Sequence, residues 1–378
     1  LSPKEIFSGF PSSLFLTLLG TMFFFSLLQE NHSLELLSKK LVKLVGKKHF
    51  LIPILIYAVS YLMSAAGPGA ISVQTVMIIF ALALSIQMEV NPILMGSMAI
   101  LGAVGGTASP IALTGILVGD LTAGIEGLEN ISMSVFLGVS AANLMCAIVL
   151  YIAFGAYKWK KGSEVQEELP AFTKNQVICI IALLAMVVAV VGFRLDVGLV
   201  CFTLSLILML LGSVDEKASL RLVPWSVLIL ICGVNVLMAV TKTLGGIDLL
   251  ADLLASMMNE VTASPIMGLT AGIMSWFSSA NGVVFPTLIP TAPSIAANVG
   301  GSVSAMELIM AIVGGATVAG ISPMSTGGSL VLASYMQGRE GSDQEQSGVF
   351  AKLFATSLCC VLITVAFAFI GGYRLFCR

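Results

Sequence analysis

Residues 102–115 read Gly-Ala-Val-Gly-Gly-Thr-Ala-Ser-Pro-Ile-Ala-Leu-Thr-Gly, and residues 315–328 read Gly-Ala-Thr-Val-Ala-Gly-Ile-Ser-Pro-Met-Ser-Thr-Gly-Gly. Each stretch lies inside a long apolar run, where a proline preceded by small residues removes a backbone hydrogen bond and unwinds the local turn. The stretches are 213 residues apart, and in that register their outer glycines, the serine and the proline coincide. Two interrupted helices of the same design predict an internal duplication.

The composition is that of a polytopic membrane protein. Of the 378 residues, 57% are hydrophobic and 10% are charged, with a mean hydropathy of +1.02, whereas a soluble protein carries about 25% charged residues. The net charge of −2 provides no basic surface for phosphates, which excludes nucleic acid as a partner. The seven cysteines show no metal-ligand spacing, so we expect no cofactor.

Apolar runs that could cross about 30 Å of hydrocarbon recur along the chain, at 11–29, 91–125, 132–157, 174–193, 195–212, 224–242, 304–337 and 350–373. Two further runs, 50–88 and 264–298, are cut near the middle by residues 64–69 and 278–282. Each is either a pair of spans joined by a tight turn or a re-entrant helical hairpin. We favour the hairpin, because irregular backbone at that depth needs protein or a watery cavity around it.

The shift of 213 residues holds without a gap from the first span through both broken helices, and it carries Pro11 onto Pro224, Gly69 onto Gly282 and Ser109 onto Ser322. The first repeat is predicted over 1–160, with an amphipathic arm at 31–48, a hairpin at 50–88 and a broken helix at 91–125. The second is predicted over 161–378, with an arm at 246–260, a hairpin at 264–298 and a broken helix at 304–337. The spans at 174–193 and 195–212 have no counterpart, so we expect at least two further helices before Leu1.

The charges predict the orientation of the repeats. Lysines cluster at 39–48 and at 158–174, which places both regions on the cytoplasmic side of an inner (plasma) membrane. The segment that corresponds to the first cluster is acidic instead, with Asp248, Asp252 and Glu260. Five crossings plus one hairpin per repeat also invert the second copy. The predicted fold is therefore an all-α polytopic membrane protein with two inverted-topology repeats, each containing a re-entrant hairpin and a broken helix.

Inverted repeats with broken helices are typical of secondary transporters. Broken helices offer N–H groups and positive dipole ends to an anion, and carbonyl and hydroxyl oxygens to a cation. A single Ser or Thr in a membrane helix more often serves helix packing, so the prediction rests on clustering at the breaks: Ser64, Thr107, Ser109, Thr114, Ser278, Ser279, Asn281, Ser322, Ser325 and Thr326. No Asp, Glu, Lys or Arg lies at the tips, which favours Na⁺ over a proton as the coupling ion. Glu307, near a span end, is expected to have a solvated or structural role.

At these residues the chain resembles the ion-transporter superfamily that includes the divalent-anion/Na⁺ symporters, and within it the malonate/dicarboxylate carrier branch. The resemblance covers essentially the whole chain. It is carried by Ser-Ala-Ala-Gly-Pro-Gly at 64–69, Gly-Gly-Thr-Ala-Ser-Pro at 105–110, Gly-Ile-Ser-Pro at 320–323 and Phe-Pro-Ser-Ser-Leu-Phe at 10–15. It implies a homodimer with an elevator mechanism, and Na⁺-coupled uptake of a small carboxylate such as malonate or a C4-dicarboxylate.

The resemblance also implies the site residues. The substrate set is Gly67, Pro68, Gly69, Ser109, Asn281, Gly282, Ser322 and Thr326. The Na⁺ set is Ser64, Gly67, Thr107, Ala108, Ser278, Ser279, Asn281, Gly320 and Ile321. The symporters carry Ser-Asn-Thr at both hairpin tips, whereas this chain has Gly-Pro-Gly at 67–69 and Ala-Asn-Gly at 280–282, which leaves fewer side-chain contacts to a substrate.

Three other functions are alternatives, and each fits the sequence less well than carboxylate transport does. A cation/proton antiporter or metalloid exporter of the same superfamily would share the fold, and sodium-driven inward uptake of an anion would exclude it. A channel would show rings of pore-lining charge. An intramembrane enzyme would need a catalytic set, and His32 and His49 lie outside the apolar core. The substitution Thr21→Ala, on a scaffold span, is expected to have little effect on transport.

Overall fold

The computed structural model describes residues 2–43, 49–88, 90–159, 170–193, 195–300, 303–336 and 343–377. Every regular element in these ranges is helical, which confirms the predicted all-α fold. Six of the described helical segments are long and apolar enough to cross a membrane: Ser12–Glu30, Gly69–Ile86, Ser132–Ala153, Ala280–Val299, Ala305–Met336 and Gln344–Phe369. The bent pair Leu228–Thr243 and Gly246–Ser256, with 80° between its parts, gives a seventh if counted as one span.

The described residues of the first half form eight α-helices. They are α1 (Pro3–Ser8), α2 (Ser12–Glu30), α3 (Ser33–Lys43), α4 (Ile52–Ala65), α5 (Gly69–Gln87), α6 (Pro92–Gly106), α7 (Leu113–Thr122) and α8 (Ser132–Ala153). The predicted arm extends to residue 48, and residues 44–48 lie outside the described residues. The predicted boundary between the repeats, at 160–161, also lies outside them, so the division of the chain there stays a prediction.

Two linking helices and the second half follow. The linking helices are α9 (Lys174–Val187) and α10 (Val197–Leu210). The second half contains α11 (Glu216–Leu222), α12 (Trp225–Thr243), α13 (Gly246–Ser256), α14 (Ala263–Phe277), α15 (Phe285–Leu288), α16 (Ala292–Val299), α17 (Ala305–Val318), α18 (Thr326–Met336) and α19 (Asp343–Phe369). Residue 337, the last of the predicted second broken helix, lies outside the described residues.

The bounds of these helices repeat with the same 213-residue shift as the sequence. Helices α2 and α12 coincide residue for residue, as do α3 and α13, while α6 and α17, and α7 and α18, begin at corresponding positions. Contacts between the halves are reciprocal. Helix α1 packs on α12 and α11 packs on α2, while α5 packs on α18 and α7 packs on residues 289–291, which correspond to part of α5. Such exchange is a two-fold relation, and the fold has two inverted-topology repeats.

Both predicted hairpins are present, but their second arms differ. In the first hairpin α5 is one continuous helix, and the tip turns through Gly67 and Gly69, whose φ angles are +131° and +76°. Glycine suits this region of φ because it has no Cβ. In the second hairpin the arm is divided into a π turn at 280–284, α15, a 3₁₀ turn at 289–291 and α16. The prolines at 286, 290 and 293 explain the division, because each removes a backbone N–H donor.

Both broken helices are also present, and in each one a glycine packs directly against the backbone of the break. Helix α6 ends at Gly106 and its continuation α7 begins at Leu113. A Cβ at Gly115 would overlap the carbonyl oxygen of Ser109, and a Cβ at Gly328 would overlap that of Ser322. The peptide N–H of Gly115 donates to the carbonyl oxygen of Thr107, at 3.1 Å. The second half-helix of each pair therefore folds back tightly onto the break itself.

A buried ion pair fixes the start of the second broken helix. Arg374 Nε donates to Glu307 Oε2 at 3.0 Å, and Arg374 Nη2 donates to the carbonyl oxygen of Glu260 at 3.1 Å. Glu307 is 2% exposed and Arg374 is 44% exposed. Tyr373, the residue before Arg374, is fully buried and packs against Gly314 of α17. Glu307 therefore has a structural role, because its ion pair attaches α17 to the C-terminal segment.

Candidate functional site

The tips of both hairpins meet the first turn of α7. In the first hairpin, a Cβ at Gly69 would lie 3.5 Å from Leu113, and a Cβ at Gly67 would lie 3.4 Å from the carbonyl oxygen of Ile111. From the second hairpin, Asn281 Oδ1 accepts a hydrogen bond of 2.8 Å from Thr114 Oγ1. Residues that are more than 160 positions apart in sequence are thus brought to one helix end.

The first turn of α7 has the electrostatic character of an anion site. Helix α7 has ten residues, and Ala112, at its N-cap, provides no side-chain hydrogen bond. The first N–H groups of such a helix have no intrahelical partner, and the helix dipole places positive partial charge there. Thr107 and Thr114 supply hydroxyl groups 3.4 Å apart beside this turn. The arrangement can bind a carboxylate without a basic side chain.

The first turn of α18 is built differently. Ser325 Oγ donates to the carbonyl oxygens of both Gly320 and Ser322 across the break. A Cβ at Gly327, which corresponds to Thr114, would lie 3.2 Å from the amide oxygen of Gln74 in the first hairpin. Gln74 is buried. The two repeats therefore meet reciprocally, with a hairpin amide from one beside the half-helix of the other in each case.

Two cavities lie beside the tip of the first hairpin. A small one, of about 20 Å³, is lined by Thr21, Met22, Gly67, Pro68, Gly69, Ile71, Ser72, Leu113 and Pro224. A large one, of about 600 Å³, runs along α5 to the corner between α2 and α3, with Glu30, His32 and Glu35 among its lining residues. Pro68 and Ser72 line both cavities. The small cavity has room for about one water molecule, so the space that the tip shares with Leu113 of α7 is nearly closed.

The structure places the predicted substrate residues in four settings. Gly67, Pro68, Gly69 and Asn281 lie at or beside the first turn of α7, and Gly282 is buried against Leu230 of α12. Ser109 and Ser322 are buried in the two breaks, where Ser322 Oγ accepts from the N–H of Met324 at 3.3 Å. Thr326 is exposed at the start of α18. The geometry brings the first group together at one helix end.

The predicted cation residues differ in how far their oxygens are already engaged. Ser64 Oγ is buried and has no hydrogen-bond partner among the described residues. Ser278 Oγ donates to the carbonyl oxygen of Met274 at 2.8 Å, and Ser279 Oγ accepts from the N–H of Gly282 at 3.0 Å. Ala108 and Ile321 are fully buried beside their breaks. Gly67, Thr107, Asn281 and Gly320 have the positions described above.

Two residues near the site were not predicted from the sequence. Thr21, whose replacement by alanine is expected to have little effect, lines the small cavity together with the first hairpin tip. Its hydroxyl donates to carbonyl oxygens within its own helix, at 3.0 and 2.9 Å, so an uninterrupted span gave no sign of the position. The sequence does contain a signal for Gln74, because an amide side chain well inside the apolar run at 50–88 is unusual. Among the described residues, no group of three or more His, Cys, Asp or Glu side chains could hold a metal ion.

A family comparison identifies the family of this chain. The model of the citrate transporter family matches residues 1–315. The chain belongs to the citrate transporter family. This member is therefore a multi-pass membrane transport protein and not an enzyme. The family match does not extend to the malonate/dicarboxylate branch expected from the motifs, which stays a prediction. No curated protein matches the chain.

A solved structure supports the fold of this citrate transporter family member. The YdaH transporter of Alcanivorax borkumensis, described as having an unusual topology, is similar over 97% of this chain and 86% of its own, with a TM-score of 0.63. The sequence identity is 13%, so the likeness concerns the fold alone.

Proposed function

We propose that this protein takes up a small carboxylate across the inner (plasma) membrane by a Na⁺-coupled elevator mechanism, as a homodimer. The observation that carries the proposal is the meeting of both hairpin tips at the first turn of α7, whose N-cap residue Ala112 provides no side-chain hydrogen bond. The family description favours citrate as the first substrate to test. The hairpin motifs favour malonate or a C4-dicarboxylate, which the same assay can compare.

The substrate carboxylate is proposed to lie at the first turn of α7, against Gly67 and Gly69 on one side and Asn281 on the other. The glycines let the hairpin backbone approach the anion closely. Asn281 would provide a side-chain contact from the second repeat. Its Oδ1 already accepts from Thr114, which leaves the Nδ2 donors to face a carboxylate oxygen.

The large cavity is proposed as the route between this site and one side of the membrane. It begins at Pro68 and Ser72 and reaches the α2–α3 corner, next to the lysine-rich segment that the charge rule places in the cytoplasm. The route narrows where the small cavity starts. In an elevator mechanism the hairpins and broken helices would move together past α2 and α12, which the tips contact through Phe25 and Leu230.

Coupling to Na⁺ is proposed because the oxygens at the breaks are neutral. Ser64, Thr107, Ser279 and the carbonyl groups of the breaks are hard donors without a charge to titrate. In proteoliposomes, uptake of radiolabelled citrate is expected to follow an imposed inward Na⁺ gradient at constant pH. Full uptake driven by a proton gradient in Na⁺-free buffer would show that Na⁺ is not the coupling ion. Mass measurement of the purified protein in nanodiscs tests the dimer.

Replacing Asn281 by alanine is expected to weaken carboxylate uptake at least tenfold. The change removes a polar contact in a buried site, which is worth about 1.5–3 kcal/mol when one partner is charged. Ser322→Ala, at the second break, is expected to have an effect of similar size. The measurement is the half-saturating concentration and maximal rate of uptake under a fixed Na⁺ gradient.

Thr243→Ala is the matched control, because Thr243 is an exposed residue of α12 whose hydroxyl donates to its own helix, at 2.9 Å to the carbonyl oxygen of Ala239. It should transport at the unsubstituted rate. Thr114→Val removes the hydrogen bond to Asn281 but keeps the amide, so it should affect uptake less than Asn281→Ala. Normal uptake by Asn281→Ala would exclude the site at α7, and normal uptake by Ser322→Ala would exclude a part for the second break in substrate binding.

A further inference from the structure

The first turn of α18 has backbone donors that no group in the described part of the chain accepts. The N–H groups of Thr326, Gly327 and Gly328 make no hydrogen bond there, whereas in the corresponding turn of α7 the N–H of Gly115 already donates to Thr107. Gly327 and Gly328 are buried. A buried N–H group without an acceptor is costly, and most such groups in proteins are paired. Helix α18 has 11 residues, so its dipole adds positive partial charge at this turn.

A buried amide side chain of the first hairpin lies against this turn. Gln74, on α5, is 4% exposed, and its amide makes no hydrogen bond to any described residue. A Cβ at Gly327 would lie 3.2 Å from Oε1 of Gln74 and 3.3 Å from its Nε2. Exchanging the two atoms by an amide flip would leave a donor and an acceptor against the turn. The first turn of α18 thus has unpartnered backbone donors and an unpartnered amide side by side.

The repeat shows that this amide is particular to one half of the chain. In the 213-residue register Gln74 corresponds to Thr287, and Gly327 corresponds to Thr114. Because residue 327 has no side chain, the amide of Gln74 lies where a hydroxyl like that of Thr114 would be. Each half-helix therefore has one hairpin amide beside it. The amide oxygen of Asn281 is satisfied by Thr114, whereas the amide of Gln74 has no such partner.

The two half-helix turns lie close together along the first hairpin. Gln74 comes five residues after Gly69 on α5, a rise of about 7.5 Å along the helix axis. A Cβ at Gly69 would lie 3.5 Å from Leu113, in the first turn of α7. One short segment of α5 therefore contacts the first turns of both α7 and α18, which suits a substrate with more than one carboxylate.

An amide is satisfied fully only by a ligand that both donates and accepts. Nε2 of Gln74 donates and Oε1 accepts, whereas an ionised carboxylate can only accept. A plain carboxylate would therefore leave Oε1 without a donor. In an α-hydroxycarboxylate, the carboxylate can accept from Nε2 and from the N–H groups of the turn, while the neighbouring hydroxyl donates to Oε1. Citrate and malate contain this unit, and tricarballylate and succinate differ from them only by lacking the hydroxyl group.

We propose that Gln74 is a specificity-determining residue, whose amide binds an α-hydroxycarboxylate together with the N–H groups of Gly327 and Gly328 and selects it over the acid without the hydroxyl. The proposal rests on the carboxylate uptake proposed above and deepens it by naming the substrate class. Because the amide has no partner in the protein, Gln74 contributes little to stability. An apolar side chain of the same size there should be neutral or stabilising.

The test compares the dissociation constants of citrate and tricarballylate for the purified full chain, by isothermal titration calorimetry at constant Na⁺ and at a pH where both acids are fully ionised. The unsubstituted protein is expected to bind citrate about tenfold or more tightly than tricarballylate. In Gln74→Leu this ratio should fall to near one, and the thermal midpoint without ligand should be equal or higher. Gln74→Met, a second apolar variant of similar length, should give the same ratio. Malate and succinate repeat the comparison with a smaller pair.

Thr287→Val is the matched control at the corresponding position of the second hairpin, where the hydroxyl contacts Met238 Sδ at 3.9 Å. Its ratio should equal that of the unsubstituted protein. Equal binding of citrate and tricarballylate by the unsubstituted protein, or an unchanged ratio in Gln74→Leu and Gln74→Met, overturns the inference and leaves carboxylate uptake intact. Neither binding nor uptake of any of the four acids by the unsubstituted protein overturns the proposed function as well.

Discussion

Arg374→Ala is expected to lower the free energy of unfolding by about 3 kcal/mol, the low end of the range for breaking a buried ion pair. Glu307 is 2% exposed and would lose the guanidinium that neutralises it. The low end applies because Arg374 is 44% exposed, so water already screens part of the attraction. The start of α17 would also lose its attachment to the carbonyl oxygen of Glu260.

The double variant Arg374→Ala/Glu307→Gln separates the charge from the packing. With a neutral amide at position 307 no uncompensated charge is buried, so the double variant should be more stable than Arg374→Ala alone. The measurement is thermal or denaturant unfolding, in one detergent, of four proteins: the unsubstituted chain, Arg374→Ala, Glu307→Gln and the double variant. If Arg374→Ala unfolds at the same midpoint as the unsubstituted protein, the ion pair does not hold the C-terminal segment against α17.

Gly115→Ala and Gly328→Ala are each expected to abolish most transport and to destabilise the protein by about 3 kcal/mol, the upper range for overpacking a core. A methyl group at either position would overlap a backbone carbonyl oxygen, of Ser109 in one break and of Ser322 in the other. Backbone cannot move aside as a flexible side chain can. The half-helix would shift away from the break, and the first turn of α7 or α18 would leave the site.

The control for both is Gly233→Ala in α12. No atom lies within 4 Å of where its Cβ would be placed, and the residue is exposed on a helix. Alanine there should be neutral or stabilise by up to about 1 kcal/mol, because it restricts the unfolded chain and favours the helix. If Gly115→Ala and Gly328→Ala take up substrate at the same rate as Gly233→Ala, the half-helices do not fold back tightly onto the breaks.

The corresponding glycine of the first repeat illustrates what a repeat in sequence cannot predict. Gly20 and Gly233 occupy the same register position, yet a Cβ at Gly20 would overlap α10, with the carbonyl oxygen of Gly198 at 2.7 Å. The difference arises because α10 packs on α2, and among the described residues nothing packs on α12 at that place. Register predicts which residues correspond, and tertiary packing decides what each one touches.

The sequence by itself determined the architecture of this protein. Its low charge required a membrane, and glycine, serine and proline inside the apolar runs marked the breaks, because those residues interrupt helices whatever surrounds them. The 213-residue register follows from the same residues, and it reappears in the bounds of α2 and α12. Local chemistry was sufficient for these predictions.

Only the tertiary structure decided which polar groups meet and which are already satisfied. The sequence marked Thr114 and Asn281 as candidates, but their 2.8 Å hydrogen bond joins two halves of the chain. Gln74 is visible in the sequence as an amide in an apolar run, but only the packing of α5 on α18 places it beside Gly327. The physical reason is that a hydrogen bond depends on distance and direction in space, and residues far apart in sequence acquire both only when the helices pack.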